Sequence, residues 1–371
     1  MSRASLSPSP TTAEGERPLS NVAFDGVIVT LCAWFLGGLY LDGWAHQHIA
    51  ETELETFFTP WHAMLYSGLF ASAGALGLTV FWNWRGGYPV MRASPLGYEW
   101  SFLGVLIFLV GGLGDMAWHL LFGFEADLEA LLSPTHLLLA LGATLILTGP
   151  LRAAWHRTDS HGWSALWPML VSLTLLLSVL TFFTQYAHPF ASTMAAEPHR
   201  PSAALFGSMT GRGLARVTFY AQALGLISLL LQTALLMGVV LLAVRRWPLP
   251  WGSLALLLGL NITLLTLMRD QAYGSNPLDT GAFPLIAVAI LGGMAADLLR
   301  WRLRPSATRP AAFRLFAFAV PTILYGLYFL ALRLTGGGVW WTVHLWAGAI
   351  GMAGVVGLLM SFLVVPPAFR D

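Results

Sequence analysis

The chain has no lysine: all 19 of its basic residues are arginine, and charged residues fill only 10% of its 371 positions. That bias is what genome base composition produces. With a net charge of +1 there is no basic stripe to neutralise phosphates, so nucleic acid is excluded as a partner. Cysteine is nearly missing as well. The single Cys32 rules out an intramolecular disulfide and any thiolate-rich zinc or iron–sulfur centre. Phosphate-cradling glycine loops, nucleophile elbows and CxxCH haem attachments are also lacking, which removes most soluble-enzyme chemistries.

What is present is apolar. Hydrophobic residues make up 56% of the chain and the mean hydropathy is +0.68, outside the range of a soluble domain. The fold class expected is all-α, a polytopic transmembrane helix bundle, because helices satisfy their own backbone polar groups in lipid. Stretches long enough to cross a bilayer run over about 22–45, 61–82, 98–121, 134–151, 163–184, 217–244, 250–268, 281–299, 313–335 and 338–364, which makes ten spans. The fourth is short and is interrupted by Gly149-Pro150, so a kink is expected there. Residues 1–21, rich in Ser, Pro, Thr and Glu, read as a disordered cytoplasmic tail. Residues 22–151 read as a duplicated two-helix repeat that carries matched motifs, and 152–371 as the remaining membrane helix bundle.

With the N-terminus inside, fourteen arginines fall on the inner side and five (Arg200, Arg212, Arg216, Arg269 and Arg333) outside, as short cytoplasmic loops demand. This places the protein in a cell membrane with both termini cytoplasmic. The same map puts eight of ten histidines at the outer face.

Two of the outer connections carry matching residues. Asp42-Gly43-Trp44-Ala45-His46 is followed by Phe58-Thr59-Pro60-Trp61-His62, and Asp115-Met116-Ala117-Trp118-His119 by Leu132-Ser133-Pro134-Thr135-His136. Fifteen residues separate the histidines in the first copy and sixteen in the second, with Glu55 and Glu129 seven residues before the final histidine. An even number of spans separates the copies, so they are expected to form a parallel internal repeat of two-helix units. Asp and His at i and i+4 share one helix face. Pro60 and Pro134 suit the first turn of the following helix, which would present His62 and His136 from a rigid start. Ionisable groups are costly at membrane depth, and one carboxylate with two imidazoles is a ligand set for non-haem iron, zinc or copper. The competing reading is that these residues only cap helices at the bilayer interface.

Other candidates are weaker. His48 is matched by Leu121 in the second copy. His188, in the outer segment around 185–216, reads as a solvated loop histidine that could complete a site, and His344 either borders an aromatic belt or reaches across the bundle. Met64 and Met116 flank the motifs but usually such methionines fill space. Glu51, Glu53, Glu55, Glu125, Asp127 and Glu129 read as an acidic, cation-concentrating surface.

The first copy, Asp42-x3-His46, an acidic linker, then Phe58-Thr59-Pro60-Trp61-His62, resembles the copper-site segment of the C subunit of the particulate methane and ammonia monooxygenases. There an Asp-x3-His pair ends one membrane helix and a Phe-Thr-Pro-Ser-His phrase opens the next. The resemblance covers about 25 residues directly, and about 100 through the second copy. It implies Asp42, His46 and His62 as copper ligands, and by extension Asp115, His119 and His136. It departs from that pattern in its longer histidine spacing, its duplication, its larger number of spans and the Ser-Pro-Thr-His of the second copy.

Three functions follow as expectations. One is a membrane metalloprotein, copper first and iron or zinc next, acting as an oxidoreductase or a subunit of one. Another is a copper transporter or uptake protein, for which deep polar groups are few (Gln222, Gln232 and Asn261). The third is a metal-free scaffold. Partners would be membrane lipid, other membrane subunits or further copies of the chain.

Overall fold

A computed structural model describes residues 17–49, 59–123, 128–157, 161–202, 211–269, 282–335 and 337–367. Twelve α-helices account for most of them: α1 (Val22–His48), α2 (Pro60–Arg85), α3 (Glu99–Phe122), α4 (Glu129–Leu132), α5 (Pro134–Leu147), α6 (Gly149–Trp155), α7 (Gly162–Phe183), α8 (Arg212–Arg246), α9 (Ser253–Arg269), α10 (Ala282–Leu303), α11 (Pro310–Thr335) and α12 (Val343–Val364). Eight of the described helices are long and apolar enough to cross a membrane, and α5 with α6 makes a ninth if the pair is one span. That pair bends by 42° at Thr148, where Gly149-Pro150 was expected to kink the chain. The apolar helix α9 has 17 residues, shorter than the stretch the sequence suggested.

Residues 17–21 lie against the bundle. Asn21 caps α1 by accepting from Phe24 N–H, and the Pro18 carbonyl accepts from Leu96 N–H. Below them Asp25, fully buried, accepts from Tyr98 Oη at 2.7 Å and pairs with Arg157. One hydrophobic core runs from α1 through α12, and α1 packs on α7 and α9 as well as on α2.

Two hairpins build the part of the molecule that matters here, α1 with α2 and α3 with α5. Each closes over glycine. A Cβ on Gly38 would lie 2.6 Å from Leu65 Cα, and one on Gly68 2.5 Å from Phe35 Cα. In the second hairpin the corresponding contacts are Gly111 on Leu139 and Gly142 on Phe108. At Gly38, Gly68 and Gly142 a methyl would meet backbone atoms, which cannot rotate away, whereas at Gly111 the nearest atoms of Leu139 stand at 3.1 and 3.2 Å and the fit is only tight. Phe35 and Phe108 then meet edge to face at 5.0 Å, joining one hairpin to the other.

Candidate metal centres

The close helix contact brings the last turns of α1 and α3 over the first turns of α2 and α5. Each following helix starts the same way: Thr59 or Ser133 at the N-cap, Pro60 or Pro134 next, and the histidine at the third helical position. The cap hydroxyl serves twice. Thr59 Oγ1 accepts from His62 N–H at 3.2 Å and contacts His62 Nδ1 at 3.1 Å; Ser133 Oγ accepts from His136 N–H at 3.4 Å and contacts His136 Nδ1 at 2.7 Å. Helix capping therefore fixes the ring, and each Nε2 is aimed at the aspartate of the preceding helix.

All six residues singled out from the sequence are brought together as two triplets, Asp42 with His46 and His62, and Asp115 with His119 and His136. Within each, one ligand atom per residue lies within 4.8 Å of the others. His46 Nε2 is 3.9 Å and His62 Nε2 3.5 Å from Asp42 Oδ2, and His119 Nε2 is 3.3 Å from Asp115 Oδ2 while His136 Nε2 is 3.5 Å from Asp115 Oδ1. Two donors bound tetrahedrally to one ion at about 2.1 Å stand roughly 3.4 Å apart, so these separations suit a shared cation. Asp42 and Asp115 are buried, whereas His46 is the most accessible member.

Proton positions in the second triplet follow from its partners. His119 Nδ1 lies 3.3 Å from the Gly123 carbonyl, which only accepts, so Nδ1 carries the proton and Nε2 turns a lone pair toward Asp115. Thr135 Oγ1 gives its hydrogen to Asp115 Oδ1 at 2.9 Å. Ser133 Oγ, 3.2 Å from Thr135 Oγ1, must then donate to it, and His136 Nδ1–H must donate to Ser133 Oγ. That is the assignment satisfying all three contacts, and it leaves His136 Nε2 a lone pair as well. Two imidazole nitrogens and a carboxylate at 3.3–3.5 Å form a donor set that a shared cation would satisfy.

In the first triplet Asp42 Oδ1 is buried and has no hydrogen-bond partner among the described residues. A buried carboxylate oxygen left this way is unfavourable by about 1–3 kcal/mol or more, and an ion on it removes that cost.

Tyr66 on α2 faces both triplets: its phenol lies within electrostatic range of Asp42 and Asp115, and its Oη sits where a Cβ on Gly112 of α3 would be, at 2.4 Å. Asp42 is itself within electrostatic range of Asp115 and His136, so the triplets are neighbours. Between α2 and α3 an open, apolar cleft of about 630 Å³ is lined by His62, Tyr66 and Phe70 on one side and by Leu109, Leu113 and Met116 on the other. His62 therefore stands in the wall of a cleft bounded by two apolar helices.

The remaining candidates fall elsewhere. His48 stacks on Trp44 and contacts its carbonyl at 2.8 Å; it is not in the triplet. His344 is exposed at the start of α12, outside both triplets, and Glu129 is exposed at the start of α4. Glu51, Glu53, Glu55, Glu125 and Asp127 lie outside the described residues. His188 is corrected: instead of a solvated loop residue it is buried, and its Nδ1 accepts from Phe190 N–H at 3.1 Å. In the neutral ring the proton is then on Nε2, so His188 offers no lone pair to complete a metal site. The segment that bears it stands at the same end of the bundle as the triplets, since Gln47 near the end of α1 donates to Gln185 Oε1 at 3.1 Å.

Thr59, Ser133, Thr135 and Tyr66 were not singled out from sequence. The first two had a signal, an N-cap residue three positions before each motif histidine; Thr135 and Tyr66 depend on contacts between helices. No family model, curated protein or solved structure matches the chain.

Proposed function

We propose that the protein is an integral membrane metalloprotein that holds copper, with iron and zinc the alternatives for this donor set, and that it acts as a monooxygenase-like oxidoreductase or a subunit of one. The observation that carries the reading is Asp42: buried, its Oδ1 without a hydrogen-bond partner among the described residues, and flanked by His46 and His62 with Nε2 atoms 3.9 and 3.5 Å from Oδ2. The same donor set around Asp115 supports a second centre. Copper is preferred over iron and zinc on the resemblance to the monooxygenase C subunit.

The reading includes a parallel internal repeat within 22–151. The matched helix contacts of Gly38 and Gly111, and of Gly68 and Gly142, favour it alongside the matched ligands. It also takes α5 with α6 as one span and α9 as another, which keeps ten spans and both termini cytoplasmic and puts the centres at the extracytoplasmic face.

A bound copper ion would supply Lewis acidity and one-electron chemistry at a position that two imidazoles and one carboxylate leave open. The chain's own residues do the rest. Thr59 and Ser133 hold His62 and His136 in the ligating orientation, and Thr135 fixes one oxygen of Asp115. The apolar walls of the α2–α3 cleft keep water from His62 and admit an apolar molecule from the bilayer.

Elemental analysis of the purified protein tests this. Wild type is expected to carry two ions per chain, and replacing either Asp42, His46 and His62 or Asp115, His119 and His136 by Ala is expected to remove one. Full metal content in both variants would discard the assignment. Oxygen-dependent product formation by the loaded protein supports the oxidoreductase, and ion uptake into vesicles would support transport in its place.

A further inference from the structure

Away from the triplets, five helices and the segment following α7 enclose a small cavity of about 30 Å³. Its polar wall is Thr181 from α7, His188 from the connecting segment, Gln232 from α8, Asn261 from α9 and Tyr325 from α11. All five are buried, none more than 5% exposed. Asn261 Oδ1 and Thr181 Oγ1 have no partner among the described residues. His188 accepts at Nδ1 from Phe190 N–H, so its Nε2–H must find an acceptor. Gln232 spends its Nε2 hydrogens on Thr184 Oγ1 and the Ala187 carbonyl, both at 2.9 Å, which leaves Oε1 as an acceptor.

The chemistry of this wall selects its ligand. Among the described residues no carboxylate lines the cavity to hold a cation and no guanidinium to hold an anion, while His188, which lines it, carries an N–H. What fits is a neutral molecule that both accepts from His188 and donates to Asn261 or Thr181. A water needs about 10–15 Å³ of such space and two to four polar partners. We propose that this cavity is a binding site for one or two water molecules, which join His188 to Asn261 and Thr181 and lock the segment after α7 to α9 and to the end of α7 itself. The assignment is independent of the metal centres.

Radiolytic hydroxyl-radical labelling of the full-length protein in detergent, followed by mass spectrometry, tests it, because radicals form from waters bound beside buried side chains. Phe190 and Tyr325 line the cavity and are buried, yet both are expected to label at rates within a few-fold of exposed Tyr186, while buried Phe35 stays unlabelled. Asn261→Leu fills the space and is expected to cut labelling of both at least tenfold and to lower Tm, because Nε2–H of His188 loses its acceptor. Absence of label on Phe190 and Tyr325 in wild type would overturn the proposal. So would a rise in Tm for Asn261→Leu, the result for a dry cavity relieved of an unpaired carbonyl. If that variant fails to fold, wild-type labelling decides alone.

Discussion

Thr135 Oγ1 donates a 2.9 Å hydrogen bond to Asp115 Oδ1, while the position that matches Thr135 in the first triplet is held by Trp61, and Asp42 Oδ1 has no partner among the described residues. The two aspartates therefore differ as candidate ligands: Asp42 has Oδ1 open, and Asp115 has one oxygen engaged. Loss of such an outer hydrogen bond weakens metal binding by about 10–100-fold in comparable sites. Thr135→Val is expected to lower affinity at the second centre by about tenfold and leave the first unchanged, with Thr135→Ser near wild type. Competition against a chromophoric chelator reads both affinities in one titration.

The glycine approach between α3 and α5 sets where His136 stands relative to Asp115. A side chain at Gly142 would place its Cβ 2.8 Å from the Gly104 carbonyl oxygen and from Phe108 N, so Gly142→Val must push the helices apart. Overpacking of this kind costs about 1–3 kcal/mol. The expected result is one ion per chain in place of two, with a lowered Tm. Gly348→Val, which has nothing within 4 Å of the added Cβ, is expected to keep full metal content.

These contacts mark where the sequence was legible. Polar residues stand out in apolar text, so the members of both Asp/His triplets could be picked out from spacing alone, and Gly149-Pro150 announced the bend at Thr148. The helix ends were less readable: α8 begins at Arg212, after Gly211 at φ 57°, several residues before its apolar run. Gly38 and Gly111 each precede their aspartate by one turn, yet a glycine in a membrane helix has no meaning until the facing backbone is known. His188 misled because His188-Pro189 has loop composition. The segment folds inward, where Tyr328 Oη donates to the Pro189 carbonyl at 3.0 Å and Phe190 packs on Tyr328. Such burial depends on helices far away in sequence.

Burial lowers the His188 pKa from 6.5 to about 3. The folded protein keeps this ring neutral while the unfolded chain takes up a proton below about pH 6.5. The unfolded state thus binds more protons across that window, and stability falls as pH drops from about 6.5 toward 3. His188→Gln, which cannot titrate, is expected to flatten this part of the profile. Tm measured from pH 7.5 to 5 in wild type and variant checks it: equal slopes would show that His188 is not the group responsible.

Ion removal separates a metal from a proton as the cation shared by each triplet. If metal is bound, it stabilises only the folded state, by about 2.7 kcal/mol when free ion exceeds Kd 100-fold. A strong chelator at pH 7.5 is then expected to lower Tm by several degrees, and re-addition of copper to restore it. In a protein carrying both Asp42→Asn and Asp115→Asn the chelator should change nothing. Were a proton in place of a metal the cation shared by each triplet, chelator would leave wild type untouched. A chelator response confined to the wild type is therefore the outcome that only a bound metal produces.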